Sequence, residues 1–197
     1  MPDTQESFAL KARTGLNHDH GFEAKWEGFE AREIVGQRVW WCSVSRGGEA
    51  AFADAIEKQL GLAAPGPGRF SDAGSFRVSA AGERQFFLTG GQDYPAALDA
   101  AAWFTDQTDG WIGVVANGPR SRAVLEKLVG IDLHPSSFPA GSAARAPFEG
   151  MLAIIACEDA EAGRFAIHFQ RSSARSFVDH LCHAAASACG PALSGGH

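Results

Sequence analysis

Seven histidines and four cysteines are the side chains in these 197 residues best suited to hold a metal or act as a nucleophile. Their spacing gathers no complete ligand set. His180 and His183 lie three apart on one helical face, but a metal needs a third and a fourth convergent donor. Cys182 points toward the apolar stripe instead, so two solvated histidines are expected. Asn17-His-Asp-His20 is metal-like by composition only and reads as turn chemistry. His168 alternates with Phe165, Ile167 and Phe169 and should face outward on its strand. No Cys-x-x-Cys occurs, and Cys42 and Cys157 sit in apolar runs as small core residues. Asp106 and Asp109 form a close carboxylate pair, yet beside Gly110 they read as a turn. Trp103 and Trp111 bracket that turn. They have the flat faces to stack a ring, but packing in the core is the expected use. His134, between Asp132 and Pro135, has two readings: a partner or ligand contact on a rigid turn, or a loop whose Asp and His bond the backbone. Arg171 and Arg175 flank the start of the last helix. Each suits a carboxylate across a subunit interface, or stays solvated. Gly-x-Gly-x-x-Gly is absent, Pro65-Gly-Pro-Gly68 follows a helix rather than leading into one, and no nucleophile elbow appears. No catalytic residue, cofactor ligand or metal ligand is therefore expected in this chain.

The totals narrow the partners. Twenty-three acidic and 17 basic residues give a formal net charge of -6. With no dense Lys/Arg cluster, nucleic acid is not an expected partner. No apolar run approaches the ~18 residues of a membrane span. The start, Met-Pro-Asp-Thr-Gln-Glu, lacks the basic and apolar segments of a secretion signal, so a cytoplasmic protein is expected.

The elements that must position these residues repeat. Residues 1–36 hold isolated large groups, Phe8 to Ile34, with no sustained period, and read as an irregular arm lying against something. Val39 to Ser45 is a strand rich in Trp and Val. Phe52, Ile56 and Leu60 recur at helical spacing, and Gly61 closes that helix. Short strands are expected at 75–79 and 84–88, and a short Ala-rich helix over 92–102. Trp111 to Ala116 is apolar on both alternations, as a central strand is. Gly118-Pro119 opens a helix whose stripe is Val124, Leu125, Leu128 and Val129. Strands at 143–148, 151–157 and 165–169 follow, then a helix carrying Phe177, Val178, Leu181, Cys182 and Ala185. The same order thus occurs twice. The expected architecture is α+β: two ferredoxin-like split βαβ halves packed together, over 37–105 and 106–189, after an arm at 1–36 and before a disordered tail at 190–197.

Several of these segments resemble one family. Asp106-Gln-Thr-Asp-Gly110, Gly118-Pro119, Asp132-Leu-His-Pro135, Phe138-Pro-Ala-Gly141, Arg171-Ser-Ser-Ala174 and, more weakly, Gly82-Glu-Arg-Gln-Phe-Phe-Leu88 resemble the gamma subunit of heterotetrameric sarcosine oxidase. The resemblance spans residues 37 to 182. It implies a fold related to the folate-binding aminomethyltransferase of the glycine-cleavage system. It also implies a mainly structural chain in a complex with alpha, beta and delta subunits. That complex oxidatively demethylates sarcosine to glycine with oxygen, giving hydrogen peroxide and a one-carbon unit for tetrahydrofolate. FAD, FMN, NAD, tetrahydrofolate and zinc are then expected in the other subunits. His134, Phe138, Arg171 and Arg175 are the expected partner contacts. The alternatives are a free-standing folate-binding or aminomethyltransferase-like protein, and a small ligand-binding or regulatory module.

Overall fold

A computed structural model describes residues 13–16 and 21–195. Fourteen main elements follow in order: β1 (Glu23–Trp26), β2 (Phe29–Ile34), β3 (Arg38–Ser43), α1 (Glu49–Leu60), β4 (Phe70–Ala73), β5 (Phe76–Gly82), β6 (Gln85–Gly90), β7 (Trp103–Asp106), β8 (Trp111–Asn117), α2 (Ser121–Leu125), β9 (Ala143–Phe148), β10 (Met151–Asp159), β11 (Arg164–Gln170) and α3 (Ala174–Cys189). They build two sheets, ordered β1-β2-β8-β11-β10-β9 and β4-β5-β6-β3-β7. Every pairing is antiparallel. The fold is α+β, consistent with two packed split βαβ halves.

The alternation along each strand sorts residues into layers. Phe165, Ile167 and Phe169 of β11 point to one side and join Phe177 and Leu181 of α3 in the largest buried cluster. The Phe169 and Phe177 rings stack 3.6 Å apart. Trp40, Cys42, Val78 and Leu88 of the five-stranded sheet pack on Phe52 and Ile56 of α1. Between the sheets lie Val39, Ala81, Phe87, Trp111 and Ile154. The order is helix, sheet, sheet, helix, with the aromatic contact of Phe87 and Trp111 at 4.9 Å joining the two sheets.

Four expectations change. The arm is not irregular throughout, because β1 and β2 form a hairpin that adds to β8 in the six-stranded sheet. The described end of the tail is also held: the Leu193 N–H donates to the Lys25 carbonyl at 2.7 Å, and the Lys25 N–H donates to Ser194 at 2.9 Å. These bonds occupy the outer edge of β1, which would otherwise show unpaired groups. The helix after Gly118-Pro119 stops at Leu125, four residues short of Val129. There the chain is drawn onto β9, where Val129 bridges Phe148 and the Gly130 N–H donates to Pro147. Residues 96–100 form a 3-10 turn in place of the Ala-rich helix. Gly118 itself has φ +120 and approaches the Gly28 carbonyl so closely that a Cβ would lie 2.5 Å from it. Only glycine lets this turn meet the hairpin.

Candidate functional site

The polar residues of interest begin with the expected partner contacts. His134 is exposed; its N–H donates to Asp132 Oδ1 at 2.8 Å, and its Nδ1 accepts from the Ser136 N–H at 3.3 Å. The Ser137 and Phe138 N–H groups close onto the His134 carbonyl. Asp132 is held below the usual carboxylate range by the Ser137 hydroxyl, then by the His134 N–H. The loop is therefore self-bonded around its Asp and His. Phe138 is 7% exposed and packs into the cluster under α2 and α3. Its ring serves the chain's own core. Arg171 is exposed, and its Nε donates to the Asp109 carbonyl at 2.6 Å, clamping the 3-10 turn Thr108–Gly110 to the start of α3. Arg175 is exposed on the first turn of α3. Among the described residues no hydrogen bond or ring contact joins His134 or Phe138 to either arginine.

The carboxylate pair is a turn, as expected. Asp106 Oδ1 accepts the Thr108 N–H at 2.8 Å, and Thr108 Oγ1 accepts the Val39 N–H at 3.1 Å. Trp111 is buried between the sheets, whereas Trp103 is 75% exposed on the edge strand β7. His180 and His183 are both exposed on α3, and among the described residues no group of three or more His, Cys, Asp or Glu converges. The Asn17–His20 string and His197 lie outside the described residues.

His168 corrects its expectation. The face called outward is the face that meets the second sheet, and the ring is 4% exposed. Its Nε2 lies 2.6 Å from Gln37 Oε1, and its ring centroid is 5.3 Å from that of Phe87. Gly113 stands opposite it in register. A Cβ there would lie 2.9 Å from His168 Nε2, so the missing side chain makes room for the ring. Burial pushes the imidazole well down, to about 3, with the Arg77 charge adding to the effect.

The same face lines a concavity. The parity that turns Phe165 and Ile167 toward α3 turns Arg164 and His168 toward the other sheet. Arg32, Val115 and Glu158 share that side, and Arg77 and Thr89 answer from the five-stranded sheet. Where Trp111 and Phe87 meet, the sheets are closed by rings. Around Arg77 they part, leaving a cleft of about 730 Å³. Arg77 donates to Glu158 Oε1 at 2.6 Å and to Asp72 Oδ2 at 3.0 Å, and Arg164 Nε donates to Glu158 Oε2 at 2.5 Å. The Arg77 guanidinium also lies 4.4 Å over the Phe70 ring. Its side chain and that of Glu158 are only 19% and 17% exposed. Such a chain of charges holds the two sheets together across the cleft. Glu33, at the cleft rim, is buried and accepts the Leu16 N–H at 3.1 Å and the Phe22 N–H at 3.0 Å. A second hollow of about 390 Å³ shares Glu33 and Gln37 with the cleft and reaches Thr108 and Arg171. None of Arg32, Arg77, Glu158 and Gln37 stands out in the sequence. The available signal is a charged residue in mid-strand at a position whose neighbours alternate with core residues, as Arg77 does beside Val78.

Neither a known family model nor a curated protein matches the chain. Among solved structures, a chain of heterotetrameric sarcosine oxidase from Corynebacterium sp. U-96, in complex with pyrrole 2-carboxylate, is similar with a TM-score of 0.75 and 20% identity, over 90% of this chain and 96% of that one. The glycine cleavage system aminomethyltransferase T from Bartonella henselae is similar with a TM-score of 0.50 and 16% identity, over 76% of this chain and 44% of that one. At these identities the likeness is one of fold.

Proposed function

We propose that this chain is the gamma-type subunit of a sarcosine oxidase-like complex and that its role there is mainly structural. The observation that carries this reading is a fold shared over 90% of this chain and 96% of a sarcosine oxidase chain. A likeness spanning both chains nearly end to end favours an equivalent subunit over a shared subdomain. The segments 106–110, 132–135, 138–141 and 171–174 support the same family.

In this reading the complex demethylates sarcosine oxidatively, with oxygen as acceptor, and passes the one-carbon unit to tetrahydrofolate. FAD, FMN, NAD, tetrahydrofolate and zinc belong to the other subunits. The chain contributes surface. Arg175, Arg171 and His134 are exposed and of the right chemistry to meet acidic groups on neighbouring chains. Trp103 adds a large apolar group on an edge strand, the kind of residue that anchors interfaces. Co-expression with the alpha, beta and delta subunits tests the proposal: the chain should co-elute with flavin absorbance, and a variant with Trp103→Ala and Arg175→Ala should release it.

A second reading, a folate-binding protein in its own right, is favoured by the likeness to aminomethyltransferase T and by the cleft between the sheets. The chain spans 44% of that enzyme's length, so more than half of that enzyme has no counterpart here. Titration of the purified chain with tetrahydrofolate, followed by tryptophan fluorescence, separates the readings. Saturable quenching at micromolar ligand favours the second, and its absence favours the first.

A further inference from the structure

We propose that the polar half of the sheet–sheet interface is a binding site for a small organic anion bearing a carboxylate. Two packed sheets normally meet through apolar side chains. Here Trp111, Phe87 and Ile154 do so over one part of the interface only. Over the other part the positions facing the opposite sheet hold Arg32, Arg77, Thr89, Glu158 and Arg164, and the sheets stand apart by a cleft of about 730 Å³. That is the size of a small-molecule pocket. Charge at inward positions is costly to desolvate and is kept where it serves binding or pairing.

The free valences set the ligand class. The walls hold the carboxylates of Glu23, Glu33, Asp72 and Glu158 and the guanidinium groups of Arg32, Arg77 and Arg164. Every one of those carboxylates is engaged. Glu158 takes Arg77 on one oxygen and Arg164 on the other, Asp72 takes Arg77, Glu33 takes two backbone N–H groups, and Glu23 takes Lys25. The donors are not used up. Arg164 spends only Nε, leaving its two terminal nitrogens without a protein acceptor among the described residues. Arg77 Nε is buried with no acceptor. Arg32 makes no hydrogen bond or ion pair among the described residues; its charge only adds, after Lys25, to holding Glu23 below the usual carboxylate range. Each wall carboxylate thus already has a cationic or N–H partner, while the forks of Arg32 and Arg164 are open, and an open guanidinium fork is complementary to a carboxylate, which it grips with two parallel bonds. Ile34 and Val115 supply an apolar wall for the rest of the ligand.

This site stands apart from the subunit reading: a chain that assembles with no partner can still bind the anion, and the reverse. The test uses the full 197-residue chain, titrated calorimetrically at constant ionic strength with succinate, its neutral analogue succinamide, and inorganic phosphate. Succinate should bind saturably and more tightly than either of the others. R32Q removes a side chain with no structural partner, so it should fold as the wild type does and lose about tenfold in succinate affinity. R164Q should lose at least as much, and circular dichroism checks its fold. K58Q, which removes a charge on the outer helix α1, should leave succinate binding unchanged. Succinate binding that is absent, matched by succinamide or phosphate, or equal in R32Q and the wild type overturns the proposal.

Discussion

His168 is a buried base with one hydrogen-bond partner and a glycine opposite it, and both features make measurable demands. Its folded value of about 3 lies below the ordinary 6.5 of the free side chain. The unfolded chain therefore takes up the proton first as pH falls. The stability tied to the neutral ring is fully present above about 6.5 and drains away as pH falls toward 3, by up to about 1.4 kcal/mol per pH unit. Urea unfolding at pH 7.5 and 5.5 should show a larger loss for the wild type than for His168→Gln, which has no imidazole to protonate. Equal losses contradict the buried neutral ring. Gly113→Ala tests the same contact from the other strand. Its new Cβ would press on His168 Nε2 and on Ile34 Cδ1, at 2.9 and 3.0 Å. A cost of about 1–3 kcal/mol in urea unfolding is expected, as for other overpacked cores. Glu33 is a third residue of this kind. Glu33→Ala strips the acceptor from the Leu16 and Phe22 N–H groups and should lower stability by about 1–3 kcal/mol, with faster amide exchange at both.

Elements with an unbroken period were legible, and those whose period was interrupted were not. Val39, Trp40 and Trp41, the stripe Phe52-Ile56-Leu60 and the run from Trp111 to Ala116 each announce a strand or helix that the fold contains. The β1–β2 hairpin buries Ala24, Trp26, Phe29, Ala31 and Glu33 in strict alternation. Two of those positions are alanine and one is a carboxylate that accepts backbone N–H groups from 11 and 17 residues away, which no local pattern reveals. β4 and β7 have four residues each and lie at sheet edges, where half the side chains are polar. The cleft was hidden for a related reason. Arg164 and His168 read as the wet side of β11 until a second sheet is laid on that side. The tail adds a prediction at this scale. Ser194 and Leu193 occupy the backbone of Lys25 on the open edge of β1. Truncation after Gly190 should speed hydrogen exchange at the Lys25 amide while leaving the amides of β10 and β11 protected. Unchanged exchange at Lys25 would contradict the tie.

Across the whole molecule, two sheets share one interface that is apolar at Trp111 and Phe87 and ionic at Arg77, Glu158 and Arg164. Helices lie on both outer faces, so what the described residues offer to a neighbour includes loops, sheet edges and the mouth of the cleft. The exposed Trp103, Arg171 and Arg175 belong to that outer set. The central proposal is that this chain is a subunit of a sarcosine oxidase-like assembly. Its most direct test is size-exclusion chromatography of the chain co-expressed with the flavin-bearing subunits, with mass and flavin absorbance read on the same peak. The account predicts one heterotetrameric peak containing this chain in equal proportion to the others. A stable monomer eluting apart from a complete, flavin-loaded oxidase would contradict it.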